Sequence, residues 1–376
     1  MKTLRAFGAV FLAVLTLASG SAQAKIAGVK ASACALVEVE SQRVLYSENA
    51  DKKLPMASTT KIMTALVAIE KGNLSDTVTI PREASGVEGS SIYLEAGETL
   101  TLEELLYGLM LHSGNDAAVA IAIHVGGSVS GFCDLMNQKV KELGANSTHF
   151  VNPHGLPAEG HYTTAHDLAL IAAAAMKNEQ FRKIVSTTAI TIPHDGRSWD
   201  RTLHNKNKLL YSYEGANGVK TGYTKAAGRC LVGSAERNGM QLVSVVLNCS
   251  DIYNDTAAIL DFGFSNFARR TVVAKNAVLG EVTVKNGVQE ALEARAKDDI
   301  VLTLTEEETQ QVEVVAKLLA SVDAPVEAGD VLGMAEVWLN GAMIAAVDLV
   351  SAEAVREKTF LDYLNTVLRN WLPDAA

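Results

Sequence analysis

Ser58 and Lys61 have the residue types and the spacing for covalent catalysis. A serine hydroxyl becomes a good nucleophile when a neighbouring base removes its proton. Residues three apart lie on one face of a helix, so the amine of Lys61 can reach the hydroxyl of Ser58. Lysine acts as a base where burial or a nearby cation lowers its pKa, and the apolar segment after Lys61 favours burial. The alternative is a capping serine followed by a surface lysine.

Two further segments carry groups suited to the same chemistry. The first, Ser-Gly-Asn at 113–115, falls between two predicted helices, where the hydroxyl can relay a proton and the amide can hold a substrate group. The second, Lys-Thr-Gly at 220–222, precedes a strand predicted near Arg229. Its lysine and hydroxyl can bind a carboxylate, and its glycine lets a substrate backbone approach the strand edge. Each segment is weak evidence alone, because capping and turns use the same residue types.

Hydrophobic periodicity predicts the elements that position these groups. Alternating segments separated by polar turns predict strands, and apolar runs of helical period predict helices. The predicted strands are 35–39, 44–46, 229–236 and 240–248, and the predicted helices are 58–72, 102–111, 117–125 and 165–177. From Thr271 onward, short alternating stretches such as 282–284, 300–304 and 331–348 predict a small all-β domain.

The three motifs, in this order along the chain, form a specific set. With them the chain resembles the penicillin-recognising serine acyltransferases. The segments around the motifs resemble the low-molecular-mass D-alanyl-D-alanine carboxypeptidases, and they are 54–65, 112–116, 150–156 and 218–224. This resemblance covers most of 30–270 and implies an α/β (α+β) penicillin-binding or β-lactamase-like transpeptidase domain, with helices around an antiparallel sheet. The β-rich remainder is similar to the C-terminal domain of that family.

The resemblance implies a cofactor-free peptidase that removes the terminal D-alanine from peptidoglycan stem peptides. By this resemblance Ser58 forms the acyl-enzyme and Lys61 accepts its proton. Ser113, supported by Asn115, carries a proton towards the leaving D-alanine. Slow covalent trapping by β-lactams is expected from the same resemblance.

The resemblance also assigns the residues that bind the substrate. Lys220 with Thr221 binds the terminal carboxylate, and the backbone N–H groups of Ser58 and Tyr223 form the oxyanion hole. Tyr223 stands where some members of the family carry histidine. A backbone donor is indifferent to that change, whereas specificity on the acceptor side can depend on it.

Three other activities remain as alternatives. A class A β-lactamase needs a glutamate that activates the deacylating water, and Glu142 with Asn146 has a superficially suitable spacing. Gly144 between them fits a helix C-cap better, and Ser-Gly-Asn in place of Ser-Asp-Asn also favours the carboxypeptidases. The remaining alternatives are a D,D-endopeptidase acting on cross-links and a catalytically silent peptidoglycan- or penicillin-binding protein.

The histidines and cysteines do not indicate a metal centre. Four histidines fall within eighteen residues, but their spacing places no two on one helical face; they are His149, His154, His161 and His166. Asp167, next to the last of them, is predicted to cap a helix, and the alternative is that it shapes the site. A cross-strand disulfide between Cys230 and Cys249 is conceivable, although free buried cysteine is commoner in a chain of this size.

The N-terminus predicts export. Residues 1–24 combine a basic start, an apolar run and an Ala-x-Ala cleavage site, the pattern of a secretory signal peptide. We therefore expect a mature chain that begins at Lys25 and acts in the periplasm or at the outer face of the cytoplasmic membrane. The domains expected after the leader are a catalytic domain over 25–270, a β-rich domain over 271–352 and an amphipathic helix over 353–376.

Composition and charge limit the classes of partner that the protein is expected to bind. The 376 residues include 33 Lys and Arg against 43 Asp and Glu, a net charge of −10. This balance counts against nucleic-acid binding, which needs a basic face. The C-terminal helix is a candidate for peripheral membrane contact because of its apolar face; its balanced charges predict weak attraction to anionic lipid.

Overall fold

The computed structural model describes residues 25–194 and 197–371, so the predicted signal peptide lies outside the described residues. The chain divides into two compact units, the first ending at Asn266 and the second starting at Phe267. The strands of the first unit are β1 (Ala33–Glu38), β2 (Val44–Glu48), β3 (Thr77–Thr79), β4 (Thr99–Thr101), β5 (Ala189–Ile192), β6 (Arg201–His204), β7 (Ala216–Thr224), β8 (Gly228–Arg237) and β9 (Met240–Leu247). Its helices are α1 (Lys61–Lys71), α2 (Leu102–Leu111), α3 (Asn115–Gly126), α4 (Val129–Glu142), α5 (Ala165–Lys177), α6 (Glu179–Ser186), α7 (Leu209–Ser212) and α8 (Ile252–Asn266).

The first unit is built on a five-stranded antiparallel sheet in the order β2-β1-β9-β8-β7. Adjacent residues of a strand point to opposite faces, and both faces of β1 and β9 are buried. Val243 and Val245 join the core formed with α1 to α6. A Cβ on Gly263 of α8 would lie 2.6 Å from Leu242 and 2.7 Å from Leu36, so α8 packs closely on the opposite face. The predicted α+β fold with an antiparallel sheet is confirmed.

Local sequence explains the elements nearest the motifs. Strands β8 and β9 meet at a two-residue turn in which Asn238 has φ 51° and Gly239 has φ 73°, values that Asn-Gly adopts readily in hairpins. Helix α2 begins with a capping box, in which Thr101 accepts from the backbone of Glu104 and the Glu104 carboxylate accepts in return. Helix α1 is buried along almost its whole length. The predicted helices and the predicted pair of long strands are therefore present.

The second unit is β-rich. Its strands are β10 (Ala268–Val273), β11 (Val278–Lys285), β12 (Ala291–Ala296), β13 (Ile300–Leu304), β14 (Glu313–Leu318), β15 (Ser321–Asp323), β16 (Val331–Leu339) and β17 (Ala342–Ser351). Six of them form one sheet in the order β14-β16-β17-β12-β11-β15, and β10 pairs with β13. The unit also contains two helices, α9 (Glu306–Gln311) and α10 (Phe360–Trp371), so the predicted all-β domain includes one short helix, α9.

The C-terminal helix starts later than its sequence predicts. The apolar period suggests a start at Glu353, but α10 begins at Phe360. The residues before it are extended, because Val355 bridges to Val326 and Glu357 bridges to Gly287. Among the described residues no single helix is long and apolar enough to cross a membrane; α3 and α4, bent by 82° at their break, pass that test only as a pair.

All four cysteines are free and buried. The conceivable bridge between Cys230 and Cys249 is not formed, and the Cys249 thiol instead donates to the Asp255 carboxylate at 3.0 Å. Burial raises the pKa of Cys230 to about 11, and burial followed by the bond to Asp255 raises that of Cys249 to about 12. Both thiols are therefore protonated and unreactive at neutral pH.

Candidate active site

Ser58 lies on a 3₁₀ turn, Ala57–Thr60, directly before α1. The sequence suggested that Ser58 opens the α-helix itself, but α1 begins at Lys61. Ala57 has a φ of 50°, which presents the next residue on a sharp corner. The turn still brings Lys61 Nζ to 3.2 Å from Ser58 Oγ.

Lys61 is fully buried and donates to three oxygens. Besides Ser58 Oγ, its ammonium contacts Asn115 Oδ1 at 2.7 Å and the His154 carbonyl at 2.6 Å. Burial, and after it the charge of Lys220, lowers the pKa of Lys61 well below its usual value, while Asp116 opposes the shift. A lysine in this environment readily gives up its proton and can then accept one from the serine.

The segment 113–115 connects α2 to the first residue of α3. Ser113 is buried with a φ of 66°, and Asn115 is the first residue of α3. The Asn115 side chain is engaged at both ends: Oδ1 accepts from Lys61, and Nδ2 donates to the Glu88 carbonyl at 2.5 Å. In this structure Asn115 therefore orients Lys61, whereas the sequence suggested that its amide holds a substrate group.

The neighbouring Asp116 was not singled out as a functional residue by the sequence. Its carboxylate accepts from Ser91 Oγ at 2.5 Å and from the backbone of Ile92 and Leu94 at 3.0 and 3.1 Å. These bonds fasten the loop between β3 and β4 to the first turn of α3. The signal in the sequence was the position of Asp116 at a predicted helix start, where a carboxylate is favoured.

The Lys-Thr-Gly segment precedes β8, the strand predicted near Arg229, and it lies within a further strand, β7, that the sequence did not predict. Because β7 is the last strand of its sheet, its outer edge can pair with an extended peptide. Lys220 is buried and donates to the Thr221 carbonyl at 2.9 Å. Burial, followed by the charge of Lys206, lowers the pKa of Lys220 to about 7. An approaching carboxylate raises that pKa again, so ligand binding and protonation of Lys220 favour each other.

Strand β7 passes directly over the serine turn. A Cβ placed on Gly222 would lie 3.0 Å from the backbone nitrogen of Ser58 and 3.2 Å from that of Thr59. Tyr223, the next residue, has an exposed side chain. Strand β7 therefore lies against the backbone amides of Ser58 and Thr59 in the serine turn.

We expect Gly222→Ala to slow acylation of Ser58 by about 100-fold, because the added methyl group pushes β7 away from the serine turn. The measurement is the rate of covalent labelling by a fluorescent penicillin, with thermal unfolding as the check that the variant folds. A wild-type labelling rate in the folded variant would contradict this account of the glycine.

His161 is a positioning candidate that sequence reasoning considered only as a metal ligand. Its Nε2 lies 2.8 Å from Thr60 Oγ1, and Thr60 Oγ1 donates to the Ala57 carbonyl at 2.9 Å. Its Nδ1 accepts from the Val151 amide at 3.2 Å, so the neutral ring carries its proton on Nε2. Through Thr60, His161 thus links the loop after α4 to Ala57, the residue before Ser58. Within the described part of the chain no group of side chains could hold a metal ion.

We expect His161 to make the protein less stable in acid. Burial lowers the pKa of His161 to about 4, whereas an unfolded histidine has a pKa of about 6.5. Between these values only the unfolded chain takes up the proton, so the free energy of unfolding falls as the pH falls, by about 3 kcal/mol in total. Urea unfolding between pH 7 and pH 4 measures the slope, which should be smaller in His161→Gln. The residual slope belongs to groups such as His154, and an unchanged slope would contradict the assignment.

Two residues that the sequence analysis considered, Glu142 and Asp167, form contacts that stabilise the fold. Glu142 is exposed at the end of α4 and pairs with Lys139 at 2.7 Å, followed by Gly144 at a φ of 71°. This is the helix C-cap arrangement expected of Gly144. The capping role predicted for Asp167 is wrong, because Thr164 caps α5. The Asp167 carboxylate instead accepts from the amide of Ser147 at 2.7 Å.

Comparisons with known proteins agree with this fold and site. Residues 19–251 match the family model of D-alanyl-D-alanine carboxypeptidase, and residues 267–357 match the model of the penicillin-binding protein 5 C-terminal domain. The protein therefore belongs to the D-alanyl-D-alanine carboxypeptidase family, as the motifs predict. The carboxypeptidase DacF of Bacillus subtilis is 35% identical over 353 residues, covering 91% of this chain and 90% of that protein.

Solved structures show the same architecture. Penicillin-binding protein 5 from Haemophilus influenzae has a TM-score of 0.71 at 30% identity, with 88% of this chain and 98% of that chain covered. A peptidoglycan synthesis regulatory factor, PBP3, from Streptococcus pneumoniae has a TM-score of 0.75 at 26% identity, covering 87% of this chain and 100% of that chain. Both likenesses span most of the two units described above.

Proposed function

We propose that the protein is an exported serine-type D-Ala-D-Ala carboxypeptidase that removes the terminal D-alanine from peptidoglycan stem pentapeptides. The observation that carries the proposal is the contact between Ser58 and the fully buried Lys61, at 3.2 Å. The lowered pKa of Lys61 suits it to act as the base. The relatives named as D-alanyl-D-alanine carboxypeptidases support the substrate class.

In the acylation step the neutral amine of Lys61 takes the proton of Ser58 Oγ. The oxygen attacks the carbonyl carbon of the penultimate D-alanine, and the N–H groups of Ser58 and Tyr223 hold the oxyanion that forms. The peptide C–N bond then breaks. Ser113 passes a proton to the departing amine and takes up the proton held by Lys61, so that D-alanine leaves, Lys61 becomes neutral again and an ester on Ser58 remains.

Lys220 and Thr221 bind the carboxylate of the terminal D-alanine in this proposal. Lys220 belongs to the edge strand that the peptide joins, and Thr221 is the next residue of that strand. In deacylation a water molecule attacks the ester, and its proton passes to Lys61 before Ser58 recovers one. A β-lactam acylates Ser58 through opening of its ring, and its amine stays tethered to the acyl group. The trapped ester then hydrolyses slowly.

The test of the function is to identify the products that the protein makes from two muropeptides: free D-alanine, or the monomers that result from cutting a cross-link. One is a monomer whose stem ends in D-Ala-D-Ala, and the other is a cross-linked dimer that lacks a free D-Ala-D-Ala end. Release from the monomer alone supports the carboxypeptidase, and cleavage of the dimer alone identifies an endopeptidase. A folded protein that cleaves neither, and is labelled by penicillin, is a binding protein without turnover.

We also propose that residues 1–24 are the export signal and that the catalytic domain over 25–270 precedes a β-rich domain over 271–352. The helix at the C-terminus is then a peripheral membrane anchor. Its apolar side chains are 41 to 78% exposed: Phe360, Leu361, Leu364, Val367 and Leu368. Such a helix can lie in the membrane interface.

We expect deletion of 360–376 from the mature protein to abolish co-sedimentation with phospholipid vesicles. Release of D-alanine from a soluble muropeptide should remain at the wild-type rate, because the motif residues all lie in the first unit. Neutral and anionic vesicles should bind the intact chain comparably, since helix charge contributes little. Undiminished vesicle binding by the truncated protein would rule out the helix as the anchor.

A further inference from the structure

A cavity of about 550 Å³ lies in the second unit, on one face of the paired strands β14 and β16. Its volume is within the range of ligand pockets in proteins. Its lining residues come from the end of α9, from the two strands and from the turn after β16. Those that bear on its chemistry are Gln311, Glu313, Lys317, Glu336, Trp338 and Asn340.

The strand register explains why these side chains share one face. Trp338 on β16 pairs with Glu313 on β14, and Glu336 pairs with Val315, so the side chains of these alternate positions point to the same side. Val337, between Glu336 and Trp338, is buried on the opposite face. The cavity therefore lies on the face of the strand pair that is turned away from the buried side.

Two contacts fix the indole ring of Trp338. Its Nε1–H donates to Glu336 Oε2 at 3.0 Å, and Lys317 Nζ lies 2.7 Å from Glu336 Oε1. The bond from Lys317 lowers the pKa of Glu336, so this carboxylate is ionised and remains an acceptor for the indole. Because its N–H group is occupied, the half-buried ring offers a ligand its apolar surface.

The other lining groups favour a neutral ligand rich in hydroxyl and amide groups. Gln311 and Asn340 each offer amide donors and an amide acceptor, Glu313 offers an acceptor, and all three residues are exposed. Among the described lining residues Lys317 is the one cation, and it is paired with Glu336, which disfavours an anionic ligand. A sugar ring matches this set, because its C–H groups suit the negative face of an aromatic ring while its polar groups bond to the rim.

A peptide added to the outer edge of β14 is the competing occupant. Strand β14 ends the six-stranded sheet, and an edge strand can pair with an extended chain. Charged side chains on an edge strand oppose such pairing, and β14 carries Glu313 and Lys317. The lining residues also follow one face of β14 and β16 instead of the edge alone. These observations favour the saccharide.

We propose that this cavity binds a neutral glycan of N-acetylated sugars, with one sugar ring stacked on Trp338 and its polar groups bonded to the amides of Gln311 and Asn340. In the proposed function the stem peptides are attached to such a glycan, so the second unit holds the polymer whose peptides the first unit trims. The site itself does not depend on that function, because the motif residues all lie in the first unit.

The test is the affinity of the mature protein for a tetramer of N-acetylglucosamine, measured by isothermal titration calorimetry. We expect Trp338→Ala to weaken binding about tenfold, through loss of the aromatic contact. Asn340→Gly removes an amide and keeps the Asn-Gly turn, in which residues 340 and 341 have φ values of 52° and 76°. It should weaken binding about fivefold, the effect of one hydrogen bond.

The matched control is Asn238→Gly, which makes the same change in the Asn-Gly turn between β8 and β9 and should bind the tetramer as the wild type does. Thermal unfolding checks that each variant folds. Wild-type affinity in both Trp338→Ala and Asn340→Gly would overturn the proposal. A stem tetrapeptide without sugar should not bind at this cavity; tetrapeptide binding that is lost in Trp338→Ala would make the occupant a peptide and also overturn it.

Release of D-alanine by the wild type from a soluble pentapeptide is recorded beside the binding, so that the two proposals fail separately. Release of D-alanine without binding of the tetramer would overturn the glycan site alone. Binding that depends on Trp338, without release of D-alanine, would support the glycan site and count against the proposed function.

Discussion

Ser58→Ala should abolish D-alanine release and covalent penicillin labelling together. Both reactions need an oxygen that attacks a carbonyl and then carries the acyl group, and alanine has none. We expect kcat/KM for D-alanine release to fall by at least about 10⁴-fold, because the remaining groups can only polarise the substrate. The measurements are the D-alanine released from a pentapeptide muropeptide and the fluorescence of a labelled penicillin retained after denaturation.

A matched control comes from the sequence itself. Ser47 begins a Ser-x-Asn pattern like that at 113–115, but its side chain is exposed on β2. Ser47→Ala should leave both readouts unchanged. Labelling that survives in Ser58→Ala would assign the nucleophile to another residue. Thermal unfolding of the two variants excludes loss of the fold as a cause.

Periodicity predicted the core of the first unit well because its elements have strong, local signals. The strands β8 and β9 are buried segments that flank an Asn-Gly turn, and α1, α2 and α5 have long apolar faces. The strand β7 was missed because its sequence is polar and rich in glycine, and its extended form depends on pairing with β8. The segment before α10 was assigned to the helix because its pairing with Val326 is not a local property.

In the candidate site, too, contacts between residues close in the sequence could be predicted, whereas contacts between residues far apart could not. The spacing of Ser58 and Lys61 was enough to predict their contact, since they are three positions apart in the sequence. The hydrogen bond between Thr60 and His161 joins residues 101 positions apart, and no local sequence pattern around either residue predicts it. The hydrogen bond from Asn115 Nδ2 to the Glu88 carbonyl also depends on a loop that is distant in the sequence.

The burial of Lys61 determines whether this residue can act as the base in the proposed reaction. An ordinary lysine is protonated at neutral pH and cannot accept a proton. Here burial and the charge of Lys220 lower its pKa, and the Asn115 oxygen and the His154 carbonyl keep the amine beside the serine. The neutral base and its orientation therefore depend on the same three-dimensional surroundings.

Lys61→Met should reduce the acylation rate by about 10³- to 10⁴-fold, the contribution of a well-placed general base. Lys61→Arg separates the base from the charge, because arginine stays protonated at every accessible pH. We expect the arginine variant to be as slow as the methionine variant. Substantial acylation in Lys61→Arg would show that a positive charge beside Ser58, and not a base, is what the reaction needs.

The pH profile of penicillin acylation tests the same base without removing it. The neutral form of Lys61 increases as the pH rises through its pKa, so the rate should reach half its maximum well below the ordinary lysine value of about 10.4. Lys220→Met removes a charge that lowers this pKa, so the midpoint should move to higher pH even though the maximal rate also falls. Asp116→Asn removes an opposing charge and should move the midpoint to lower pH. Midpoints that shift in the reverse directions, or stay fixed in both variants, would exclude Lys61 as the titrating base.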